Sequence, residues 1–197
     1  AENAVIKCKD GSTVTLCGTG TLNITANGKN GIKSGATSVD EGEASLTIRG
    51  LTLNIESGTL NISAGDDAIH CDYVMNVGAS GTTGPSITIK ACYEGLEAAT
   101  LNILSGNISI LSEDDCLNAA NSDLTGYSFS MTISGGAITA YSSTGDGFDS
   151  NGDLTITGGT VVVWTANTAD DQPLDADGTL TVSGGTVLAA GGSAGMG

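Results

Sequence analysis

The sequence predicts an all-β chain wound as a single-stranded, right-handed parallel β-helix of about seven to eight coils. Three observations predict it. A Gly-led strand phrase recurs along most of the chain, a second strand phrase precedes several of those glycines, and the recurrences fall near 24 residues apart.

In chain order the first phrase reads Gly20-Thr-Leu-Asn-Ile24, Gly58-Thr-Leu-Asn-Ile62, Gly106-Asn-Ile-Ser-Ile110, Gly136-Ala-Ile-Thr-Ala140, Gly159-Thr-Val-Val-Val163 and Gly185-Thr-Val-Leu-Ala189. The second and fourth residues after each Gly are apolar and the first and third mostly polar, the period of a strand with one buried face. The second phrase reads Leu46-Thr-Ile48, Ile87-Thr-Ile89, Met131-Thr-Ile133, Leu154-Thr-Ile156 and Leu180-Thr-Val182. The unit is therefore strand, Gly turn, strand, polar loop. Gly136 to Gly159 is 23 residues, Gly159 to Gly185 is 26, and Gly58 to Gly106 is 48, or two turns of 24.

One such coil cannot bury its own apolar face, but stacked coils place Ile on Ile and pair their backbones. The stack would be on the order of 35 Å long at the usual strand spacing. Right-handedness is assigned because connections between parallel strands almost always have that hand. A sandwich would show hairpin turns and a propeller longer units. Residues 1–197 read as one β-helix domain, with 1–45 as an N-terminal cap and first coils, since Lys and Arg concentrate in the first half. The start at Ala1-Glu2-Asn3 reads as a mature or trimmed form, and the stop after Gly192-Ser-Ala-Gly-Met-Gly197 as a truncation or a place for a capping partner.

Composition agrees: 30 Gly, 2 Pro and few long charged side chains favour strands and tight turns. The formal charge of -16, from 22 acids against six Lys and Arg, disfavours nucleic acid and anionic membranes as partners. No stretch approaches a membrane span of about 20 apolar residues. The five cysteines, Cys8, Cys17, Cys71, Cys92 and Cys116, contain no CxxC motif. They read as small buried residues, with a Cys8–Cys17 bridge left open.

Sixteen acids lie between Asp66 and Asp177, opposed in that span by Lys90 and a neutral His70. Aligning the loops on Ile69, Leu96, Leu117, Phe148 and Leu174 puts Asp67, Glu94, Asp115, Asp146 and Gln172 two residues before that column. His70, Glu97, Asn118, Asp149 and Asp175 come one residue after it; Asp72, Ala99, Ala120, Asn151 and Asp177 come three after. Equivalent carboxylates would then stand about 5 Å apart, which is unfavourable without a counter-ion. Calcium, which takes six to eight oxygens from Asp, Glu, Asn and backbone carbonyls, is the expected cofactor. Zinc is not expected, because no Cys or His cluster accompanies the lone His70. The stronger candidate shell is Asp66, Asp67 and Asp72 with Glu94 and Glu97, then Asp114, Asp115 and Asn118. A second lies between Asp146, Asp149, Asn151 and Asp171, Asp175, Asp177.

The blocks Gly65-Asp-Asp-Ala-Ile-His70, Tyr93-Glu-Gly-Leu-Glu-Ala98 and Glu113-Asp-Asp-Cys-Leu-Asn-Ala119, with Gly184-Gly-Thr-Val-Leu-Ala-Ala190, resemble a bacterial carbohydrate-binding family. Its members look like pectate-lyase-type polysaccharide lyases and carry calcium on a right-handed β-helix. The resemblance covers residues 45–197 and is weak before them. It implies a secreted or cell-surface protein that binds cellulose or a polygalacturonate-like polymer, with Asp66, Asp67, Asp72, Glu94, Glu97, Asp114, Asp115 and Asn118 as the positions matching the family motif.

Three classes of function follow. In a binding module, the column five residues after each coil Gly (Thr25, Ser63, Leu111, Tyr141, Trp164, Ala190) points outward, so Tyr141 and Trp164 lie side by side as a platform for sugar rings. In a lyase, calcium would neutralise a uronate while a base removes the α proton. Lys90 is the candidate base, Arg49 being placed in a strand column away from the acidic blocks. In a structural protein, the open ends of the helix would self-associate. Asn23, Asn61 and Asn107 fit the glycosylation pattern but are products of the strand repeat.

Overall fold

The computed structural model describes residues 4–8, 12–34, 52–166 and 171–192. In chain order the strands are β1 (Ala4–Cys8), β2 (Thr13–Leu16), β3 (Thr21–Ala26), β4 (Asn30–Ser34), β5 (Thr52–Ile55), β6 (Thr59–Ala64), β7 (Ile69–Val77), β8 (Ser86–Ala91) and β9 (Leu96–Ile103). They continue as β10 (Asn107–Ser112), β11 (Leu117–Ala119), β12 (Ser130–Ile133), β13 (Ala137–Ser142), β14 (Phe148–Ser150), β15 (Asp153–Ile156), β16 (Thr160–Thr165), β17 (Leu180–Val182) and β18 (Thr186–Ala190). All the pairings between them are parallel, and β3-β6-β8-β10-β13-β16-β18 forms one face with a strand from each of seven coils. The chain is a parallel β-helix.

Each coil has three sides, one more than the sequence pattern predicts. A second face runs β2-β5-β7-β9-β12-β15-β17, using the later halves of β7 and β9. The third uses β1, β4, the first halves of β7 and β9, β11, β14 and a bridge at Leu174. The acidic blocks read as loops are this third face. Its strands shrink to three residues at β11 and β14, too short for alternation to register in the sequence. Because β7 and β9 run on around the corner, the acidic face and the second face form a single 11-stranded sheet.

One strand phrase belongs elsewhere. Ile87-Thr-Ile89 pairs with Leu60-Asn-Ile62 and Ile108-Ser-Ile110, so it is a Gly-phrase strand opened by Gly84-Pro85 instead of Gly-Thr. That unusual opening hid one coil inside the 48-residue spacing. Leu46-Thr-Ile48 and Arg49 lie outside the described residues. Within residues 1–45, read as a cap and first coils, the described strands belong to the stack: β1, β2 and β3 pair in register with β4, β5 and β6.

Inward columns make the core. Ile62, Ile69, Leu96, Leu101, Ile103, Leu117, Ile133, Leu154 and Ile156 are fully buried, each worth about 1.5–3 kcal/mol of transfer free energy. The coil glycines are required at the turn into the Gly-phrase strands. Gly136, Gly159 and Gly185 have φ of 87°, 85° and 81°, a region that L side chains rarely adopt, and a Cβ on any of them would meet backbone of the coil before. At the next corner the hydroxyl of Ser142 donates to the Asp114 carbonyl at 2.7 Å and that of Thr165 to Asp171 at 3.3 Å, tying strand ends to the acidic blocks.

Cys8 and Cys17 are not bridged: Cys8 is buried at the end of β1, whereas Cys17 is exposed after β2 on another side of the coil. Cys71, Cys92 and Cys116 are buried free thiols, and burial pushes Cys116 up to about 12. Tyr73, Tyr127 and Phe129 form a satellite cluster with Ala99 and Leu124. There the Tyr127 hydroxyl meets Thr100 Oγ1 at 2.8 Å and covers part of the second face.

Candidate functional site

The acidic face is ordered by one buried apolar column. Ile6, Ile32, Ile69, Leu96, Leu117, Phe148 and Leu174 pair in succession, which includes the five residues aligned from sequence and extends two coils further back. The residue after each faces outward: Lys7, Lys33, His70, Glu97, Asn118, Asp149 and Asp175. Charge therefore changes sign along the axis, from two lysines through a histidine to carboxylates. The sequence alignment began at Asp66 and missed the lysines, although Lys7 and Lys33 each follow an Ile as His70 does.

His70 is the junction. Its Nδ1 meets Asp67 Oδ2 at 3.1 Å and also contacts Glu97 Oε2, and its Nε2 meets Asp72 Oδ1 at 3.0 Å. Burial alone would lower its pKa, but the hydrogen bonds to Asp67, Asp72 and Glu97 outweigh that and hold it well above the ordinary value. Carboxylates facing both ring nitrogens favour the protonated ring, and one ligand atom from each of Asp67, His70 and Glu97 lies within 4.8 Å of the others. Asn30 Nδ2 donates a further bond to Asp67 at 3.1 Å. Three predicted ligands, Asp67, Asp72 and Glu97, are thus brought together around a side chain of the protein itself.

Further along, Glu94, Asp115, Asp146 and Asp149 meet no histidine of this kind among the described residues. In the column two residues before the apolar one, Asp67, Glu94, Asp115, Asp146 and Gln172 are linked through their backbones, each carbonyl accepting from the residue that follows its neighbour in the coil before. Burial pushes Glu94 up to about 8, with the charges of Glu97 and Asp67 adding to the effect. Burial also pushes Asp115 up to about 8, against a hydrogen bond from the Asp146 backbone N–H. Asp149 reaches about 6 through burial and the charges of Asp146, Asp175 and Asp177. One oxygen from each of Asp146, Asp149 and Asp175 lies within 4.8 Å of the others. Asn118 sits between Glu97 and Asp149 in the column; its Nδ2 donates to Glu94 at 3.1 Å, while its Oδ1 is buried without a hydrogen-bond partner.

Other predicted positions stand apart. Asp66, Asp114 and Asp171 lie one residue further out along the strands, at the corner with the Gly-phrase face, where the backbone carbonyl of Asp66 accepts from Tyr93 N–H at 3.1 Å. Asn151 and Asp177 lie at the opposite corner, Asp177 N–H donating to Ser150 O at 2.9 Å. Lys90 is exposed at the end of β8, in a bulge opposite Ser63 on the Gly-phrase face.

That Gly-phrase face differs in chemistry from the acidic one. Thr25 pairs with Ser63, Leu111 with Tyr141, Tyr141 with Trp164 and Trp164 with Ala190, the outward column read from sequence. The Tyr141 and Trp164 rings stand 5.6 Å apart, tilted by 36°, and Trp164 is 38% exposed. Leu111 continues the strip one coil back and is exposed. The other two outward columns consist of Thr, Ser, Asn, Ala, Val and Leu, so the bulged Lys90 is the one charged residue of the face among the described residues.

Comparison with curated proteins and with solved structures finds no match. A family model described as carbohydrate-binding domain-containing protein matches residues 1–195, including the first 45 residues where the sequence resemblance is weak. The match spans nearly all of the 197 residues, and the chain belongs to this family of carbohydrate-binding domain-containing proteins.

Proposed function

We propose that the chain is a secreted, calcium-stabilised module that holds plant-cell-wall polysaccharide on its Gly-phrase face, through Tyr141 and Trp164. The observation that carries this reading is the exposed, paired aromatic strip on a nearly uncharged sheet in a chain of formal charge -16. Aromatic rings pack against the C–H faces of sugars, and the surrounding Thr, Ser and Asn offer hydroxyl and amide groups to sugar hydroxyls. A neutral glucan such as cellulose meets no repulsion there. A polygalacturonate carries the same sign as the protein and would need bridging cations.

Calcium fits the C-terminal half of the acidic face better than the first shell read from sequence. Around Asp67 and Glu97 the positive charge is supplied by His70. Around Asp146, Asp149 and Asp175 no basic side chain takes that role among the described residues, and Asn118 Oδ1 is a buried acceptor awaiting a partner. Asp115, Asp146, Asp149 and Asp175 with Asn118 would hold the ion, which supplies charge neutralisation between coils.

The test is retention on insoluble cellulose and on polygalacturonate, with and without chelator, alongside absorbance for unsaturated products. Retention on cellulose that Trp164→Ala weakens by about threefold to tenfold supports the reading. Product formation would replace it with lyase chemistry, and absence of retention on either polymer would remove it.

A further inference from the structure

The outward side chains of the Gly-phrase face keep their chemistry along the helix axis and change it along each strand. In β10, β13 and β16 the middle outward column reads Ser109, Thr139 and Val162, and the far one Leu111, Tyr141 and Trp164. Asn107 to Leu111 spans about 13 Å along β10 at the usual rise per residue, whereas neighbours in a column stand about 4.8 Å apart. A ligand laid along a strand therefore meets one large side chain and then polar groups. A ligand laid along the axis meets Leu111, Tyr141 and Trp164 in turn, with the Ser109 and Thr139 hydroxyls on the same side of it.

The spacing also selects a polymer. The Tyr141 and Trp164 centroids are 5.6 Å apart, so the apolar contacts repeat at close to one per coil. An extended β-1,4-linked chain of pyranoses is a flat ribbon that advances by close to one strand spacing per sugar, so successive sugars fall on successive coils. An α-1,4-linked chain of the same sugar curves, and its rings leave a straight column after the first contact. The strip is bounded: towards the earlier coils it meets the bulge that carries exposed Lys90, and towards the later ones Ala190, which has no ring.

Resting on the reading of this face as glycan-binding, we propose that it holds a single neutral β-1,4-linked chain along the helix axis, one sugar per coil, with Leu111, Tyr141 and Trp164 beneath three successive sugars. The match between sugar repeat and coil repeat then sets specificity. Straightness selects the linkage, and the length of the strip sets the number of sugars that contribute.

The experiment is titration calorimetry of the whole chain with cello-oligosaccharides of two to six units and with maltohexaose, the α-1,4-linked isomer of cellohexaose. Circular-dichroism melts confirm folding of each variant. Affinity should rise by about threefold or more from the dimer to the tetramer and then change by no more than about twofold. Cellohexaose should bind about threefold to tenfold more tightly than maltohexaose. Leu111→Tyr adds a third ring to the column and should tighten cellotetraose by about threefold while leaving cellobiose within about twofold. Cellobiose or maltohexaose as tight as cellohexaose, or Leu111→Tyr without effect on cellotetraose, would each overturn the proposal. If Trp164→Ala still weakens those complexes, the glycan-binding reading stands without it. Retention on insoluble cellulose with no binding of any soluble chain would also overturn it, and absence of both removes the reading on which it rests.

Discussion

In the absence of divalent cations, the stability of this fold should fall as pH rises from 5 to 9. The cause is the pair of carboxyls that folding raises most, Glu94 and Asp115, both near 8 against ordinary values of 4.5 and 3.8. A carboxyl raised by folding holds its proton more tightly in the native state. Its contribution is therefore fully present below its unfolded pKa, near 4, and is lost as pH climbs through the folded value, near 8. For Glu94 alone the displacement corresponds to a ceiling of about 5 kcal/mol. Relaxation and water entry reduce such penalties, so a net loss of about 3 kcal/mol is expected for the two, or about 6–12 °C in the melting midpoint of a chain this long. Calcium should reverse the slope, because it binds the deprotonated carboxylates and only in the folded state. The assay is a set of thermal melts by circular dichroism at pH 5, 7 and 9, in chelator and in calcium. Glu94→Gln keeps an acceptor for Asn118 Nδ2 and removes the charge, so in chelator it should raise the midpoint at pH 9 and raise it far less at pH 5. A flat or rising midpoint in chelator, with Glu94→Gln silent, would refute the argument.

Three further predictions rest on separate contacts. His70→Leu strips Asp67, Asp72 and Glu97 of their counter-charge and should cost about 3–5 kcal/mol by urea unfolding at neutral pH. That difference should shrink in alkali, since a raised histidine loses its contribution as pH rises through its folded pKa. Gly95→Ala drives a Cβ into the Cys116 carbonyl oxygen and should cost about 1–3 kcal/mol, whereas Gly20→Ala, with nothing within 4 Å, should stay within about 0.5 kcal/mol. Trp164→Ala should weaken retention on insoluble glycan by about threefold to tenfold while moving the melting midpoint by no more than about 2 °C.

The parts of the fold that repeat with a residue identity were legible in the sequence. Gly followed by alternating apolar residues locates five of the seven strands of one face in full, because the turn needs positive φ and the core needs every second residue. It locates β3 as well, although there the positive φ falls on Gly18 instead of Gly20. The strand it missed, β8, opens with Gly84-Pro85, and Gly84 supplies the positive φ there. The column through Ile69, Leu96, Leu117, Phe148 and Leu174 was legible because each is a single large apolar residue followed at once by a polar one and preceded two residues earlier by an acid or Gln. What the sequence could not give is which neighbour answers which charge. His70 looks like one more member of a column, and its contacts with Asp67, Asp72 and Glu97 depend on side-chain placement that a column of letters does not show. Similarly, the third side of the coil was invisible while its strands were taken for loops.

The distribution of charge links stability to binding. A chain with 22 acids could spread them over three faces and keep every neighbouring pair far apart, at little electrostatic cost. Here twelve of them, from Asp66 to Asp177, crowd into columns on one face, where strand spacing forces them together and burial raises several of them. Crowding has a benefit elsewhere: it leaves the Gly-phrase face almost free of charge, so a neutral polymer can lie along several coils without desolvating carboxylates. The cost falls on the stack itself and is offset by cations that fasten coil to coil, His70 at one end and the proposed calcium towards the other. On this argument the ions and the glycan act on opposite terms, the first on whether the coils hold together and the second on what the neutral face touches. Chelation should then lower the melting midpoint more than it lowers cellulose affinity measured well below that midpoint. An affinity that collapses in chelator while the fold stays intact would instead put the carboxylates in the binding site.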